Sequence, residues 1–477
     1  VPGLVVNNRS NYAQDLQISS RGFGARAGFG VRGIRLYADG IPASGPDGQG
    51  QVAHFDLAGA ERVEVLRGPF SVLYGNSSGG VIALVGAPVR RNEVEAAADI
   101  GSDGLRQWRL GATRRWDGGW SLQAGVSQFE TDGARAHSAA RRDLVHARLA
   151  WADDDDRVVL LANHLDQPAQ DPLGLSRAQF DADPRQTTPQ ATQFDTRKTV
   201  RQTQLGASWR HRFADGLLRE MQLAAYGGQR AVTQFLAIAP ATQANARHGG
   251  GVVDFDRDHH GAEWRARLAS GALDLQLGAA LDVQRDDRRG YENFTGPAAA
   301  PRLGVVGELR RDEANEARSA DVFAQAEWSP QAALALTAGV RSGRLRLQAD
   351  DRYLANGDDS GRLDFRYTNP VLGLRWAPGP GLALHASVAR GHESPTLGEV
   401  AYRPASGGGL NTELRAQTSR QAEAGAKLRG ARWGLDLAVF EARVADEIGV
   451  ATNAGGRSSF QNTGRTLRRG AELAGHW

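Results

Sequence analysis

From about residue 91 to residue 477 the chain repeats one unit: an alternating segment, a tight turn, a second alternating segment and a longer polar loop. At 273–283, for example, leucine, alanine and valine occupy every second position, with Asp274, Gln276 and Gly278 between them. A period of two places successive side chains on opposite faces of a strand. Each segment therefore predicts a β-strand with one apolar and one polar face.

The length of these segments favours a membrane protein. Many exceed about 9–11 residues, which a tilted membrane-spanning strand needs, whereas strands of soluble proteins average about 5–6 residues. A soluble propeller or a series of sandwiches also alternates, but a propeller would show a blade period, and none is visible in the sequence. The pattern therefore predicts an all-β, antiparallel transmembrane barrel.

The connections between the segments are short at one end and long at the other. The short turns lie at 116–119, 153–156, 213–216, 270–272, 329–333, 377–381 and 429–432. The long, polar loops lie at 168–197, 238–251, 287–316, 349–361, 392–418 and 448–463. Tryptophans near the short turns are Trp116, Trp151, Trp209, Trp328 and Trp376. Outer-membrane barrels have short periplasmic turns, long extracellular loops and aromatic girdles at the membrane interfaces.

The segments predict about 16 strands, the last of which begins near Gly464 and continues to Trp477. A barrel wall must close, because lipid offers no partner to an open edge. We therefore expect either that these strands close or that the chain lacks several strands. No apolar run reaches the roughly 18 residues of a transmembrane helix.

Residues 1–90 differ from the rest of the chain. They are rich in glycine and contain short apolar runs such as RVEVL and GGVIALV, which predict short strands in a compact, mixed α/β domain. The chain has no cysteine, which excludes disulfides, thiolate catalysis and cysteine-ligated metals. The net charge of +3 includes no basic block, so nucleic acid is not an expected partner.

Residues 22–33 read GFGARAGFGVRG and contain Gly28-x-Gly30-x-x-Gly33, the letters of a dinucleotide-binding fingerprint. That fingerprint needs a following helix, and an acidic residue about 20 positions further on, within a βαβ unit. Here IRLYADGIP follows, which predicts a strand and a turn. A nucleotide-binding enzyme is therefore the weaker hypothesis. We expect the glycines to let a tight loop rise inside a crowded structure.

The segment at 61–85, ERVEVLRGPFSVLYGNSSGGVIALV, resembles the plug motif of the TonB-dependent outer-membrane receptors. Upstream, DLQISSRGFG and IRLYADGIP resemble strands of the same plug, and the stretch at 393–428, which begins ESPTLGEVAYRP, resembles a barrel region of these receptors. The resemblance covers the whole chain in the family's order. It implies a plug domain at 1–90 in the lumen of a barrel at 91–477.

The family resemblance also implies a location, partners and a role. Receptors of this type have about 22 strands, so the C-terminal strands and the N-terminal TonB box would be missing here. The implied protein is a monomer in the outer membrane of a Gram-negative bacterium, in contact with lipid. It would be a transporter rather than an enzyme, and would take up a scarce small molecule with energy from TonB and its inner-membrane complex.

A narrower resemblance concerns the ligand. The run RGFGARAGFGVRGIRLYADGIPASGPDGQGQ is similar to the receptors that import pyrroloquinoline quinone. That quinone is a tricarboxylate, so the expected ligand is anionic. Ferric-siderophore, heme and cobalamin receptors are the alternatives within the family, and His392 beside ESPT leaves the heme version open. A passive porin is an alternative of another class, and it predicts no plug.

The resemblance further implies how the plug is held. Arg21 and Arg67 match plug arginines that pair with inward glutamates in the family, and Glu423 matches a glutamate of a barrel strand. Bidentate arginine–carboxylate pairs fix a geometry that lysine does not reproduce. We expect a static lock between plug and barrel, with Glu393 and Glu399 as further candidate partners. A role in relaying a signal is the alternative.

An anionic ligand needs guanidinium and N–H donors on the outward plug loops, which we expect at 24–32 and 42–55. The candidate ligand-binding residues are Arg26, Phe29, Arg32, Gln49 and Gln51. The arginines and glutamines would donate hydrogen bonds, and Phe29 would stack on a flat ligand. Salt bridges to the barrel wall are the alternative role of the two arginines, and local packing is that of Phe29. Asp47 is expected to order its own loop.

Several polar residues of the long loops are candidates to close over the ligand. They are Tyr291, Tyr402, Arg403, His259 and His260. The adjacent histidines do not predict a metal site, because neighbours on a strand point to opposite faces. The DDDD run at 153–156 lacks the spaced ligands and the glycine of a calcium loop. The sequence therefore predicts no metal, no cofactor and no catalytic site.

Overall fold

The computed structural model describes residues 1–28, 30–68, 71–297, 300–404 and 409–477, with the main chain but not the side chains of residues 71 and 72. The elements before residue 90 are β1 (Leu4–Asn7), β2 (Gln17–Ser20), β3 (Ile34–Ala38), β4 (Ile41–Pro42), β5 (Ala60–Arg67), α1 (Ser71–Tyr74) and β6 (Gly80–Gly86). Strand β3 pairs in parallel with β6 and antiparallel with β4, and β5 pairs antiparallel with β6. Ile34, Leu36 and Ile82 form part of the small apolar core of this sheet.

The remaining strands are β7 (Glu93–Ile100), β8 (Arg106–Arg115), β9 (Trp120–Thr131), β10 (Ala140–Ala152), β11 (Asp156–Gln170), β12 (Arg197–Arg212), β13 (Leu218–Phe235), β14 (Val252–Ser270), β15 (Leu273–Tyr291), β16 (Phe294–Thr295), β17 (Arg302–Leu303), β18 (Leu309–Gln331), β19 (Leu334–Asp351), β20 (Gly361–Gly379), β21 (Leu382–Glu393), β22 (Gln417–Arg429), β23 (Gly434–Ala445), β24 (Ile448–Ala454), β25 (Arg457–Asn462) and β26 (Thr466–His476). The helices of this part are α2 (Arg177–Ala182), α3 (Pro189–Gln193), α4 (Pro240–Gln243) and α5 (Leu397–Val400), with 3-10 turns at Asp117–Gly119 and Leu354–Asn356. Among the described residues, no helix has the length and apolar character needed to cross a membrane.

Sixteen strands form one antiparallel sheet, in which each strand pairs with the next along the chain apart from the loop hairpins β16–β17 and β24–β25. The inner face surrounds the plug, because Arg35 of the plug contacts Asp282 on β15, and Arg21 contacts Glu472 on β26. The predicted antiparallel wall of about 16 strands around a plug is confirmed. No ladder joins β7 to β26 in the described part of the chain, so the sixteen strands do not close on one another.

The predicted short turns lie where the sequence places them, but one long loop is shorter than expected. Strand β15 continues to Tyr291, and β18 begins at Leu309. Both ends of the predicted loop at 287–316 therefore belong to strands. Opposite charges face one another within this extension, where Arg288 is directly opposite Glu313 and Arg289 is directly opposite Asp312. The polar composition that suggested a loop therefore belongs partly to opposite charges that face one another across the strands.

The outer face of the sheet is apolar and exposed over its middle, and tryptophans border it at the short-turn end. Trp116, Trp328 and Trp376 are 42%, 50% and 47% exposed. An indole ring suits an interface because its body is apolar and its N–H donates a hydrogen bond. The distribution matches the aromatic girdle predicted from the sequence.

Candidate functional site

Two plug loops rise to the end of the lumen where the long loops lie. The main chains of Val31 and Gly50 form an isolated antiparallel bridge that ties the two loops together. Asp47 Oδ1 accepts from the amide of Gln49 at 3.1 Å, as expected of a residue that orders its own loop. Asp47 Oδ2 also accepts from the amide of Leu397, which joins the plug loop to α5 at 3.2 Å.

Arg26 lies in a cluster of side-chain acceptors. Its Nε donates to Glu399 Oε1 at 2.9 Å, and its Nη1 donates to Glu393 Oε2 at 3.2 Å and to Gln417 Oε1 at 3.0 Å. Glu393 is fully buried and the Arg26 side chain is 12% exposed. These pairs connect the tip of the plug to β21, β22 and α5. Glu393 and Glu399, weaker candidates for the plug lock, therefore pair with Arg26.

Arg32 is buried beside the same cluster. Its Nη1 donates to the carbonyl of Asp47 at 2.7 Å, and its Nη2 donates to the carbonyl of Ser394 at 2.5 Å and to Glu399 Oε2 at 3.3 Å. Burial raises the pKa of Glu399, but the charges of Arg26 and Arg32 outweigh it and lower that pKa to about 2. Arg26 thus pairs with Glu393 on the wall strand β21, as in the alternative role, whereas the salt bridge of Arg32 is to Glu399 on the loop helix α5. Ligand binding by the two arginines stays a prediction.

The other predicted ligand residues are close to these arginines. Gln49 and Gln51 are half buried in the same plug loop. Gln51 packs on Gly30, where an added β-carbon would lie 2.5 Å from its Nε2. Phe29 lies outside the described residues. The structure thus brings four of the five predicted positions to one end of the lumen, and their ligand role remains a prediction.

A second arginine cluster lies at the same end of the lumen, around Tyr402. The guanidinium groups of Arg288, Arg311 and Arg457 lie 5.7, 4.7 and 5.6 Å from the centre of its ring. Arg288 Nη2 also donates to the Tyr402 hydroxyl at 3.4 Å. Glu313 accepts from Arg311, and the charge of Asp359 also acts on this guanidinium. The sequence indicates Tyr402 as a candidate but not these arginines, which come from three separate strands.

The three cations change the acidity of Tyr402. Burial opposes ionisation of the phenol, but the charges of Arg457, Arg311 and Arg288 outweigh it and lower the pKa of Tyr402 to about 7. A phenolate can therefore form near neutral pH and partly balance the arginines.

The other residues predicted to close over the ligand have different positions. Arg403 Nε donates to the carbonyl of Leu410 at 2.9 Å, within its own loop, and Tyr291 ends β15. His259 is half buried and His260 is exposed, consistent with opposite faces of β14. Over the part of the chain that the structure describes, no group of three potential metal ligands occurs.

The residues predicted to lock the plug meet at the wall, with one partner that the sequence did not reveal. Arg21 Nη1 donates to Glu423 Oε2 at 2.5 Å, and its Nη2 donates to Glu472 Oε2 at 2.8 Å. Arg67 Nη1 donates to Glu472 Oε2 at 2.6 Å. The guanidinium of Arg21 also lies 4.2 Å from the ring centre of Phe440. Glu472 thus bridges both arginines, while Glu423 contacts Arg21. Their role as a lock stays a prediction.

Further ion pairs and an aspartate–histidine contact join the plug to the wall at other strands. Arg35 pairs with Asp282 at 2.9 Å, Asp39 with Arg148 at 2.8 Å, Asp56 with His146 at 2.9 Å and Asp15 with Lys198 at 3.1 Å. Each wall partner lies on the inward face of its strand. The alternation identified such inward polar positions, but it does not say which plug residue each one faces.

The glycine motif is followed by β3 and not by a helix, which removes the context of a nucleotide-binding loop. Gly30 and Gly33 have φ of 64° and 67°, a region that favours glycine. At Gly33 an added β-carbon would lie 3.0 Å from Glu393 Oε1. The motif therefore lets the plug loop pass close to β21 beneath Arg32.

These features define a strand-walled protein with an internal plug domain. Residues 144–477 match the family model described as TonB dependent receptor-like, beta-barrel, and residues 1–81 match the TonB-dependent receptor plug domain. The barrel match alone covers more than half of the chain. The chain belongs to the family of TonB-dependent receptors.

Solved structures with the same fold include three transport proteins. The copper transporter OprC matches with a TM-score of 0.78 and 15% identity, over 99% of this chain and 72% of that one. The unliganded ferric citrate transporter FecA matches with a TM-score of 0.78 and 18% identity, over 100% of this chain and 70% of that one. The ferric yersiniabactin uptake receptor FyuA from Yersinia pestis matches with a TM-score of 0.76 and 18% identity, over 100% of this chain and 72% of that one. At these identities the likeness shows the fold.

Proposed function

We propose that the chain belongs to an outer-membrane receptor of a Gram-negative bacterium that takes up a scarce, small, anionic molecule with energy from TonB and its inner-membrane complex. Family membership supports the receptor class and the TonB partner. A passive porin is disfavoured because a plug occupies the lumen.

The anionic ligand is supported by buried guanidinium donors at the long-loop end of the lumen. Arg26 Nη2, Arg32 Nε, Arg311 Nη1 and Arg457 Nε are buried and find no acceptor within the described residues. Buried donors nearly always have an acceptor. A buried donor without an acceptor costs about 1–3 kcal/mol of free energy, and a charged donor costs more. A ligand that carries several carboxylates would supply acceptors to both arginine clusters at once.

Among anionic ligands we favour pyrroloquinoline quinone, which carries three carboxylates on a flat ring system. Arg26 and Arg32 would form the floor of the site, with Gln49 and Gln51 as neutral donors. Arg288, Arg311 and Arg457 would form its roof. A ferric siderophore with carboxylate groups is the alternative, and it fits the family and the ferric citrate transporter among the similar structures.

Isothermal titration calorimetry on the purified receptor tests both the charge and the identity of the ligand. Pyrroloquinoline quinone, ferric citrate, heme and Cu²⁺ are titrated separately. We expect a measurable heat of binding with an anionic ligand. The paired change Arg311→Gln and Arg457→Gln is expected to weaken binding roughly tenfold or more, because two charge-assisted hydrogen bonds are lost.

The matched control is the pair Arg62→Gln and Arg91→Gln, two exposed arginines with carboxylate neighbours away from both clusters. Unchanged affinity in this control shows that the loss depends on position and not on total charge. If ferric citrate gives a heat of binding and the quinone gives none, the ligand is a ferric siderophore and not the quinone. Heat with Cu²⁺ alone contradicts an anionic ligand.

A further inference from the structure

The floor of the proposed anion site already holds carboxylates of the chain itself. The guanidinium of Arg26 pairs with Glu393 and with Glu399. The guanidinium of Arg32 forms its salt bridge with Glu399. An anion that reached the free donors Arg26 Nη2 and Arg32 Nε would lie beside these carboxylates, and like charges in a buried site repel each other strongly. An anionic ligand therefore competes with a carboxylate of the chain for the two arginines.

Of the two carboxylates, Glu399 is the more easily displaced. Glu393 is the last residue of β21, its main chain pairs with Gln417 on β22, and its side chain is fully buried. Glu399 instead belongs to α5, a helix of four residues in the connection between β21 and β22. So short a helix is marginal on its own, and a loop segment opens at a lower free energy than a strand inside a sheet.

The carboxylate of Glu399 holds its own helix as well as the arginines. Its Oε2 accepts from the amide of Thr396 at 2.9 Å, and the Thr396 hydroxyl accepts from the amide of Glu399 at 3.0 Å. This reciprocal pair is a capping box, which fixes the first turn of α5. Two residues further on, the carbonyl of Ala401 accepts from Arg311 at 2.9 Å. Release of Glu399 would therefore free the Thr396 amide in the segment that joins the two arginine clusters.

We infer that Glu399 is a built-in competitor of the ligand, which occupies Arg26 and Arg32 until an anion with several carboxylates displaces it. An anion with one carboxylate replaces one carboxylate by another and gains little. A polycarboxylate replaces Glu399 and also supplies acceptors to Arg311 and Arg457. Glu399 thus determines specificity, because it favours ligands of higher charge. This role rests on the anionic ligand proposed above.

Calorimetry of the purified receptor with pyrroloquinoline quinone and with ferric citrate tests the competition. Glu399→Gln keeps the size of the side chain and its ability to cap α5, but removes its charge. We expect this variant to bind the anion that gives a heat of binding roughly tenfold or more tightly than the unchanged chain does, because no carboxylate has to leave the arginines. A residue that only positioned the arginines would give the opposite sign, which is weaker binding.

The matched control is Glu413→Gln, the same change at an exposed carboxylate of the same connection. Its affinity for the anion is expected to equal that of the unchanged chain. An equal gain in both variants would show that total charge and not the position of Glu399 matters, and would overturn the inference.

Hydrogen exchange of the unchanged chain gives a measurement that needs no variant. The Thr396 amide is expected to exchange faster when the quinone or ferric citrate binds, because its acceptor Glu399 has moved away, whereas acetate is expected to leave its exchange rate unchanged. Unchanged or weaker binding by Glu399→Gln, slower exchange at Thr396 on binding, or an equal effect of acetate overturns the inference alone. The absence of heat with both anions overturns the proposed function and the inference together.

Discussion

At the residue scale, the lumen is a place where buried charges meet across two domains. Arg21, Arg26 and Arg35 each bring a plug cation to a wall or loop carboxylate. Burial of an ion pair is costly unless the partners also satisfy its hydrogen bonds. Around Tyr402 the balance differs, because three arginines surround the ring and the carboxylates that act on Arg311 are Glu313 and Asp359. That surplus is where the proposed ligand would act.

Ionisation of Tyr402 is predicted to make ligand binding depend on pH. Its pKa is lowered to about 7, so the phenolate forms as pH rises through that value and competes with an anionic ligand for the arginines. Affinity should fall by up to about tenfold per pH unit above about pH 7. Tyr402→Phe should remove this fall. Calorimetry at several pH values checks it, and an identical decline in both proteins would contradict the assignment.

Loss of Glu472 is predicted to loosen the plug. The residue accepts from both Arg21 and Arg67, and its side chain is 6% exposed, so Glu472→Gln leaves buried cations without their shared partner. We expect a loss of about 3 kcal/mol in plug stability, measured by limited proteolysis in urea. Glu441→Gln removes an exposed carboxylate on the outer face and should leave the resistance of the plug unchanged. Plug resistance equal to that of the unchanged chain would count against a lock.

At the element scale, the backbone conformation of the plug loop before β3 determines how closely this loop approaches the barrel. Gly33 combines a φ of 67° with close approach to Glu393, whereas Gly28 has nothing within 4 Å of an added β-carbon. The two glycines of one motif therefore have different requirements in this fold. In the strands the side chains matter instead, because opposite charges such as Arg289 and Asp312 face one another where β15 and β18 extend beyond the predicted strand ends.

These requirements predict different outcomes for two alanine substitutions. Gly33→Ala should destabilise the plug by roughly 1–2 kcal/mol from the left-handed backbone alone, and should displace Glu393. Gly28→Ala should be nearly neutral. Thermal unfolding and ligand calorimetry of both variants provide the comparison. Equal effects would show that the loop does not depend on the geometry at Gly33.

At the scale of the whole molecule, the sequence predicts the architecture better than the site. Period-two alternation and unequal loop lengths are local, so the strands and their inward faces could be identified. The partner of Arg21 could not, because Glu472 lies 451 residues away and its contact depends on how the wall curves around the plug. The Tyr402 cluster is also assembled from distant strands. Only the three-dimensional path of the chain brings its arginines together.

An anion that enters the lumen is expected to bind the buried arginines beneath the long loops. A cryo-electron microscopy or crystal structure with the anion that gives the strongest calorimetric signal tests it most directly. Carboxylate oxygens are expected within about 3 Å of Arg311 Nη1 or Arg457 Nε. A ligand bound elsewhere, with these donors still lacking an acceptor, would contradict it.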